Sequence, residues 1–290
     1  NPEVVIYVYN MMTEVIDKAN ISYIKWDMNR CMTEVYSSCH DSESQGRVMH
    51  EYILGVYQLY ELVTNRFPEI LFESCASGGA RFDPGMMYYA PQCWTSDDTD
   101  ALERLKIQYG TSMVYPVSSL GAHVSAAPNH QLLRNTPIET RANVAYFGTF
   151  GYELDLNKLN MDEQIKVKEQ ITFMKDYREI IQFGTFYRLK SPFEGNETVW
   201  MVVSQDQNTA IIGYYRTLQE VNVGYRRVKL LGLDPDKEYH VNLNNTVHYG
   251  DELMNLGLIT TDSSCGENKE KYDGTNGDYL SRIYVLKAKI

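Results

Sequence analysis

Asp27 lies in an unusual run, Ser22-Tyr23-Ile24-Lys25-Trp26-Asp27-Met28-Asn29-Arg30. The run opens as a short aromatic and β-branched strand and ends abruptly in charged and amide groups. Parallel barrels place such residues at the carboxyl ends of their strands, where side chains converge on a substrate. A second candidate set, Asp97, Asp98 and Asp100, follows another short apolar run. If these strands and the one that ends in Cys75, Gly78-Gly79 and Arg81 are neighbours in a barrel, their ends share one rim. Two carboxylates across a small cavity can break a glycosidic bond, one attacking the anomeric carbon and the other protonating the leaving oxygen. Lys25 stands two residues before Asp27, on the same strand face. Its ammonium would keep Asp27 ionised, whereas clustered acids would keep one member of the second set protonated.

Plainer readings exist for both sets. A lone Trp-Asp pair is more often a surface turn with a solvated carboxylate. The acids at 97–100 can equally cap a helix. Capping and catalysis are compatible if Asp98 or Thr99 caps while Asp97 points into the rim. Cys75 alone reads as a buried small hydrophobe. The turn Ala76-Ser77-Gly78-Gly79-Ala80 lacks the Lys-Ser/Thr of a phosphate-binding loop and does not match G-x-G-x-x-G, which argues against nucleotide binding. His123 and His130 have no carboxylate or thiol at ligand spacing, so no metal is expected. No G-x-S-x-G elbow supports a serine triad.

The elements that must position these residues alternate. Apolar periodicity predicts helices at 3–18, 47–66, 98–110, 139–147 and 161–181. Between them lie strands at 21–26, 70–75, 92–95 and 150–154, with a weaker strand signal at 119–124. This alternation implies parallel strands joined by crossover helices. Four or five strands are too few to close an eight-stranded barrel, so the fold class expected is α/β: the C-terminal part of a (β/α)8 barrel, with its other strands before Asn1. From about residue 183 the texture becomes short strands separated by turns, which predicts an all-β antiparallel sandwich. The expected domains are therefore 1–182 and 183–290.

Composition narrows the partners. The net charge is −11 and no Lys/Arg-rich block occurs, which argues against nucleic acid. No run of about 18 apolar residues offers a membrane span. Five cysteines (Cys31, Cys39, Cys75, Cys93, Cys265) form no C-x-x-C pair. An odd number of this kind fits free thiols in a reducing compartment, so a cytoplasmic location is expected. The chain begins with Asn1 and no leader is visible, so it is expected to be a piece of a longer protein.

Three motifs occur in order: Lys25-Trp26-Asp27-Met28-Asn29-Arg30, Glu73-Ser74-Cys75-Ala76-Ser77-Gly78-Gly79-Ala80-Arg81-Phe82-Asp83 and Trp94-Thr95-Ser96-Asp97-Asp98-Thr99-Asp100. Together with Tyr249-Gly250-Asp251-Glu252-Leu253-Met254-Asn255-Leu256-Gly257-Leu258 they resemble the family 36 glycoside hydrolases, bacterial α-galactosidases, essentially end to end. The resemblance implies a retaining, double-displacement enzyme acting on terminal α-galactose of melibiose- or raffinose-type sugars, without metal or other cofactor and often as a homotetramer. By motif position it makes Asp27 the nucleophile and Asp97 the general acid/base. Lys25, Trp26, Met28, Asn29, Cys75, Gly78 and Gly79 would form the galactose pocket, Cys75 beside the C2 hydroxyl. An α-N-acetylgalactosaminidase, a galactosyl transferase and a non-catalytic sugar-binding protein are the alternatives. The family draws further pocket residues from earlier barrel strands that this chain lacks. The chain by itself is therefore expected to bind galactose poorly.

Overall fold

The computed structural model describes residues 1–30, 32–221, 224, 226–243, 245–260 and 277–289. Cys31 and Cys265 lie outside them. Two compact units comprise residues 1–97 and 98–290.

In the first unit, helix α1 (Pro2–Lys18) starts with the Asn1 side chain accepting from the Glu3 N–H and proline in the first turn. Strand β1 (Tyr23–Asp27), helix α2 (Val48–Arg66), strand β2 (Leu71–Cys75), helix α3 (Pro84–Tyr89) and strand β3 (Gln92–Trp94) follow. β1 pairs with β2 and β2 with β3, all parallel. Tyr60 and Val63 of α2, Phe72 of β2 and Met86 of α3 are buried together. Each such large side chain contributes about 1.5–3 kcal/mol by leaving water. The helices thus pin one face of the sheet and leave the other to polar residues. α3 falls where the sequence predicts only a turn. It is a single capped turn-and-a-half, with Asp83 accepting from the Met86 N–H, too short to show a period.

The second unit opens with α4 (Ala101–Thr111), β4 (Leu120–Ser125), α5 (Ile138–Ala145), β5 (Thr149–Glu153) and α6 (Met161–Phe183). β4 and β5 pair in parallel. These elements continue the strand–helix repeat of a parallel barrel. Next come β6 (Thr185–Lys190), β7 (Glu197–Val203), β8 (Thr209–Arg216), β9 (Arg227–Val228), β10 (Glu238–Val241), β11 (Thr246–Tyr249), the short helix α7 (Gly250–Asn255), β12 (Leu258–Ile259) and β13 (Leu280–Ala288). Six of the strands form an antiparallel sheet in the order β11-β10-β13-β8-β7-β6, and β9 pairs with β12. The alternation of β7 and β8 sends Trp200, Val202, Ile211 and Tyr215 into a cluster with Ala142, Phe147 and Ile181. Met201, Ile212 and Tyr214 go to the opposite face, with Leu253 and Leu258. Tyr215 fixes the first contact, accepting from the Trp200 indole at 2.9 Å and donating to the Asn143 carbonyl at 2.6 Å.

Glu197 of β7 sits in a knot of donors. It accepts from Tyr214 at 2.5 Å, from Arg226 at 2.7 Å and from Lys190. Burial opposes its charge, but these three bonds prevail and bring its carboxyl from the ordinary 4.5 down to about 2. A depressed folded-state value contributes stability that is complete above the unfolded value and is lost as pH falls toward the folded one. The thermal midpoint of the C-terminal unit should therefore fall between pH 4.5 and about 2. Glu197→Gln should flatten that decline, and scanning calorimetry across the interval compares the two. Parallel curves would remove Glu197 from the acid response.

Candidate active site

Alternation along β1 puts Tyr23, Lys25 and Asp27 on one face and Ile24 and Trp26 on the other. The parallel register sets Lys25 beside Glu73, Asp27 beside Cys75, and Glu73 beside Gln92. Trp94, two residues after Gln92, shares their face. The polar side of the sheet is therefore layered. Tyr23, Lys25, Glu73 and Gln92 lie nearer the strand starts, and Asp27, Cys75 and Trp94 stand at the strand ends.

Asp27 is surrounded by donors. Burial is the largest single influence and opposes its charge, but hydrogen bonds from the Cys75 thiol, the Asn29 amide and the backbone N–H groups of Ser77 and Met28 together outweigh it and hold its carboxyl below the ordinary range. Asn29 Oδ1 accepts from the Ser77 N–H at 3.2 Å and its hydroxyl at 3.3 Å, which turns the amide nitrogen toward Asp27. Burial, and the bond to Asp27, push the Cys75 thiol up to about 11, so it serves as a protonated donor. The end of β2 is itself clamped, because the Cys75 carbonyl accepts from the Met28 N–H and from Arg81, each at 3.0 Å.

Lys25 does not have the role its spacing suggested. Its Nζ lies 3.8 Å from Glu73 Oε1 and 4.4 Å from the centroid of the Trp94 ring, and hydrogen bonds rather than its charge lower Asp27. Glu73 is 1% exposed. Its Oε2 accepts from the Tyr23 hydroxyl and, at 3.1 Å, from Gln92, leaving Oε1 toward the ammonium.

Trp26 and Met28 belong to the helix side of β1. The Trp26 ring stacks on Tyr60 of α2 with centroids 4.2 Å apart, and the Tyr52 hydroxyl reaches Met28 Sδ at 3.0 Å. A cavity of about 380 Å³ there is lined by both residues together with Asp27, Tyr52, Leu59 and Arg81. Lys25, Asp27, Asn29 and Cys75 thus lie toward the polar side of the sheet, while Trp26 and Met28 turn toward α2 and share with Asp27 the cavity they line. The alternation of a strand requires this split.

Gly78 and Gly79 serve packing. Gly78 has φ +82°, and a Cβ there would come within 2.7 Å of Ser96 Cα; at Gly79 it would meet the Thr95 carbonyl oxygen at 2.9 Å. The turn after β2 therefore lies directly on the segment that carries Asp97. Gly78→Ala combines left-handed strain with a backbone clash and should destabilise the fold by about 2–3 kcal/mol. A thermal midpoint unchanged from wild type would refute that.

Asp97 is exposed at the end of this unit and accepts from the Trp94 indole N–H at 3.1 Å. The neighbouring acids have other work. Asp98 accepts from the Asp100 N–H at 3.1 Å. Asp100, rather than Asp98 or Thr99, caps α4, accepting from the Leu102 and Glu103 N–H groups, and pairs with Arg134. The capping reading is right for Asp100, and Asp97 takes no part in it. His123 Nδ1 lies 3.5 Å from Glu153. Among the described residues no group of three or more His, Cys, Asp or Glu could hold a metal ion, and Cys39, Cys75 and Cys93 are free thiols.

Arg81 is among the polar groups at the strand ends, whereas Glu73, Trp94, Tyr23 and Gln92 are site neighbours that the sequence motifs do not single out. Their signal was available, since Glu73 precedes Cys75 by two residues and Trp94 follows Gln92 by two on predicted strands.

Comparison with known proteins places this arrangement. Residues 1–184 match the Melibiase family, and residues 197–286 match the glycosyl hydrolase family 36 C-terminal domain. Alpha-galactosidase AgaA of Geobacillus stearothermophilus is 50% identical over 97% of this chain, and Mel36A of Lactobacillus acidophilus is 44% identical over the same share. The chain spans 37% of the length of each. The crystal structure of the Lactobacillus brevis α-galactosidase superposes with a TM-score of 0.94 at 50% identity, over 100% of this chain and 38% of that one. An AgaA variant crystallised with raffinose superposes at 0.92 and 48% identity, over 99% and 38%. The sheet of parallel strands and crossover helices is accordingly the C-terminal part of a (β/α) barrel, followed by an antiparallel region. The chain belongs to the family 36 glycoside hydrolases, the family of the bacterial α-galactosidases.

Proposed function

We propose that the full-length protein carrying this chain is a retaining α-galactosidase acting on raffinose- and melibiose-type oligosaccharides. One observation carries the reading: an ionised Asp27 ringed by four donors stands at a strand end, with a second carboxylate, Asp97, after the strand two places along the same parallel sheet. The substrate class is supported by the relatives, since AgaA variants were crystallised with raffinose and with stachyose.

In this mechanism Asp27 attacks the anomeric carbon while Asp97 gives its proton to the departing oxygen. A galactosyl ester on Asp27 results. Asp97, now a carboxylate, takes a proton from water as that water attacks the ester, and Asp27 leaves with its charge restored. The donors around Asp27 suit both ends of the cycle, because they keep the nucleophile ionised and accept it back as a leaving group. Lys25 and Asn29 would read galactose hydroxyls, with Cys75 beside the C2 hydroxyl. Gly78 and Gly79 would shape the wall, and Trp26 and Met28 would brace β1 from behind. Residues 1–182 would be barrel and 183–290 the β-domain. Among the described residues no helix is long and apolar enough to cross a membrane.

The test is stereochemical. Proton NMR of early hydrolysis of an aryl α-galactoside should show α-galactose first, with the β anomer growing in later by mutarotation. Initial β-galactose would overturn retention.

A further inference from the structure

Trp94 ends β3 and is 2% exposed. Burial would ordinarily be a full account of such a residue, but this one also has polar work on two sides. Its indole N–H donates to Asp97 Oδ1 at 3.1 Å, and the Lys25 ammonium lies 4.4 Å from its ring centroid. Lys25 is aimed in turn by Glu73, a buried carboxylate whose other oxygen is taken by Tyr23 and Gln92. Asp97 itself lies outside the strand, on an exposed segment, where a short side chain has rotameric freedom. An indole carries one donor in a fixed direction. Bonding Oδ1 to it removes that freedom and leaves Oδ2 as the oxygen for proton transfer.

We infer that Trp94 is the positioning residue of the acid/base: its N–H holds Asp97 Oδ1 so that Oδ2 delivers and retrieves the proton, and its ring face carries the sugar-reading Lys25. The inference rests on Asp97 being the acid/base. One ring therefore couples the carboxylate that protonates the aglycone to the cation on the strand of the nucleophile.

The experiment compares wild type, Trp94→Phe and Asp97→Ala in the full-length protein. kcat/KM reports the first chemical step and is measured on methyl α-galactoside, whose leaving group needs a proton, and on dinitrophenyl α-galactoside, whose leaving group does not. Phenylalanine keeps an aromatic face for Lys25 and removes the N–H. Trp94→Phe should lower kcat/KM on the methyl glycoside about tenfold, the worth of one hydrogen bond to a charged group, and change the dinitrophenyl value less than about twofold. In an Asp97→Ala background it should add no further loss on the methyl glycoside. Equal losses on both substrates, with Asp97→Ala still selective for the poor leaving group, would reduce Trp94 to a packing residue while leaving the acid/base reading intact. Loss of selectivity in Asp97→Ala itself would refute that reading. Should Trp94→Phe fail to fold, benzothienylalanine at the same position keeps the ring shape, replaces the N–H by sulfur and gives the same readout.

Discussion

Asp27→Ala in the full-length protein should lower turnover of any α-galactoside by on the order of 10⁴-fold or more, with little change in fold. The size follows from the role, since removing a nucleophile removes the covalent path altogether rather than one interaction along it. The structure makes the substitution a clean one. Asp27 is an exposed strand end whose bonds come from Asn29, two backbone N–H groups and the Cys75 thiol, which is buried but a weak donor that loses little without an acceptor. Azide fits the space vacated by the carboxylate and should restore part of the rate, attacking the face that Asp27 attacked. The product would be β-galactosyl azide, the inverted adduct. Activity within tenfold of wild type would remove Asp27 from the mechanism.

Asp97→Ala should behave as its mirror image. On an alkyl galactoside the expected loss is about 10²–10⁴-fold, the usual contribution of a positioned acid and base. On an aryl galactoside the first step survives, the galactosyl ester accumulates, and azide should discharge it from the opposite face. That product is α-galactosyl azide. The two variants thus assign the two carboxylates by the configuration of one product each, measured by NMR. The same azide anomer from both would refute the assignment of roles.

Much of the fold is legible in the sequence. The strand that closes on Asp27 announces itself by an apolar start and a polar end, and the helices behind it by their period. What could not be read was which charge neighbours which. Lys25 and Asp27 share a strand face but stand two residues apart along it, roughly 7 Å, whereas a residue directly across the sheet is about 5 Å away. Cross-strand register therefore gives Lys25 to Glu73, and sequence spacing alone does not contain that register. The acidic cluster shows the same limit. Asp97, Asp98 and Asp100 are equivalent as letters, and only the start of α4 at Ala101 separates the cap from the rim. α3 and α7 escaped notice because six residues complete fewer than two helical turns.

The protonated Cys75 has a chemical consequence beyond orienting its neighbour. A thiol next to a site that activates an electrophilic carbon is a potential rival for it, and sulfur is the better nucleophile once ionised. Burial, and after it the bond to Asp27, push its pKa up to about 11, so the thiol stays protonated at neutral pH. The hydrogen bond that Asp27 accepts thus does two things at once. It lowers the Asp27 carboxyl and, together with burial of the thiol, keeps the sulfur protonated, so that on the proposed mechanism a dead-end thioglycoside would be avoided by the same proton that prepares the ester.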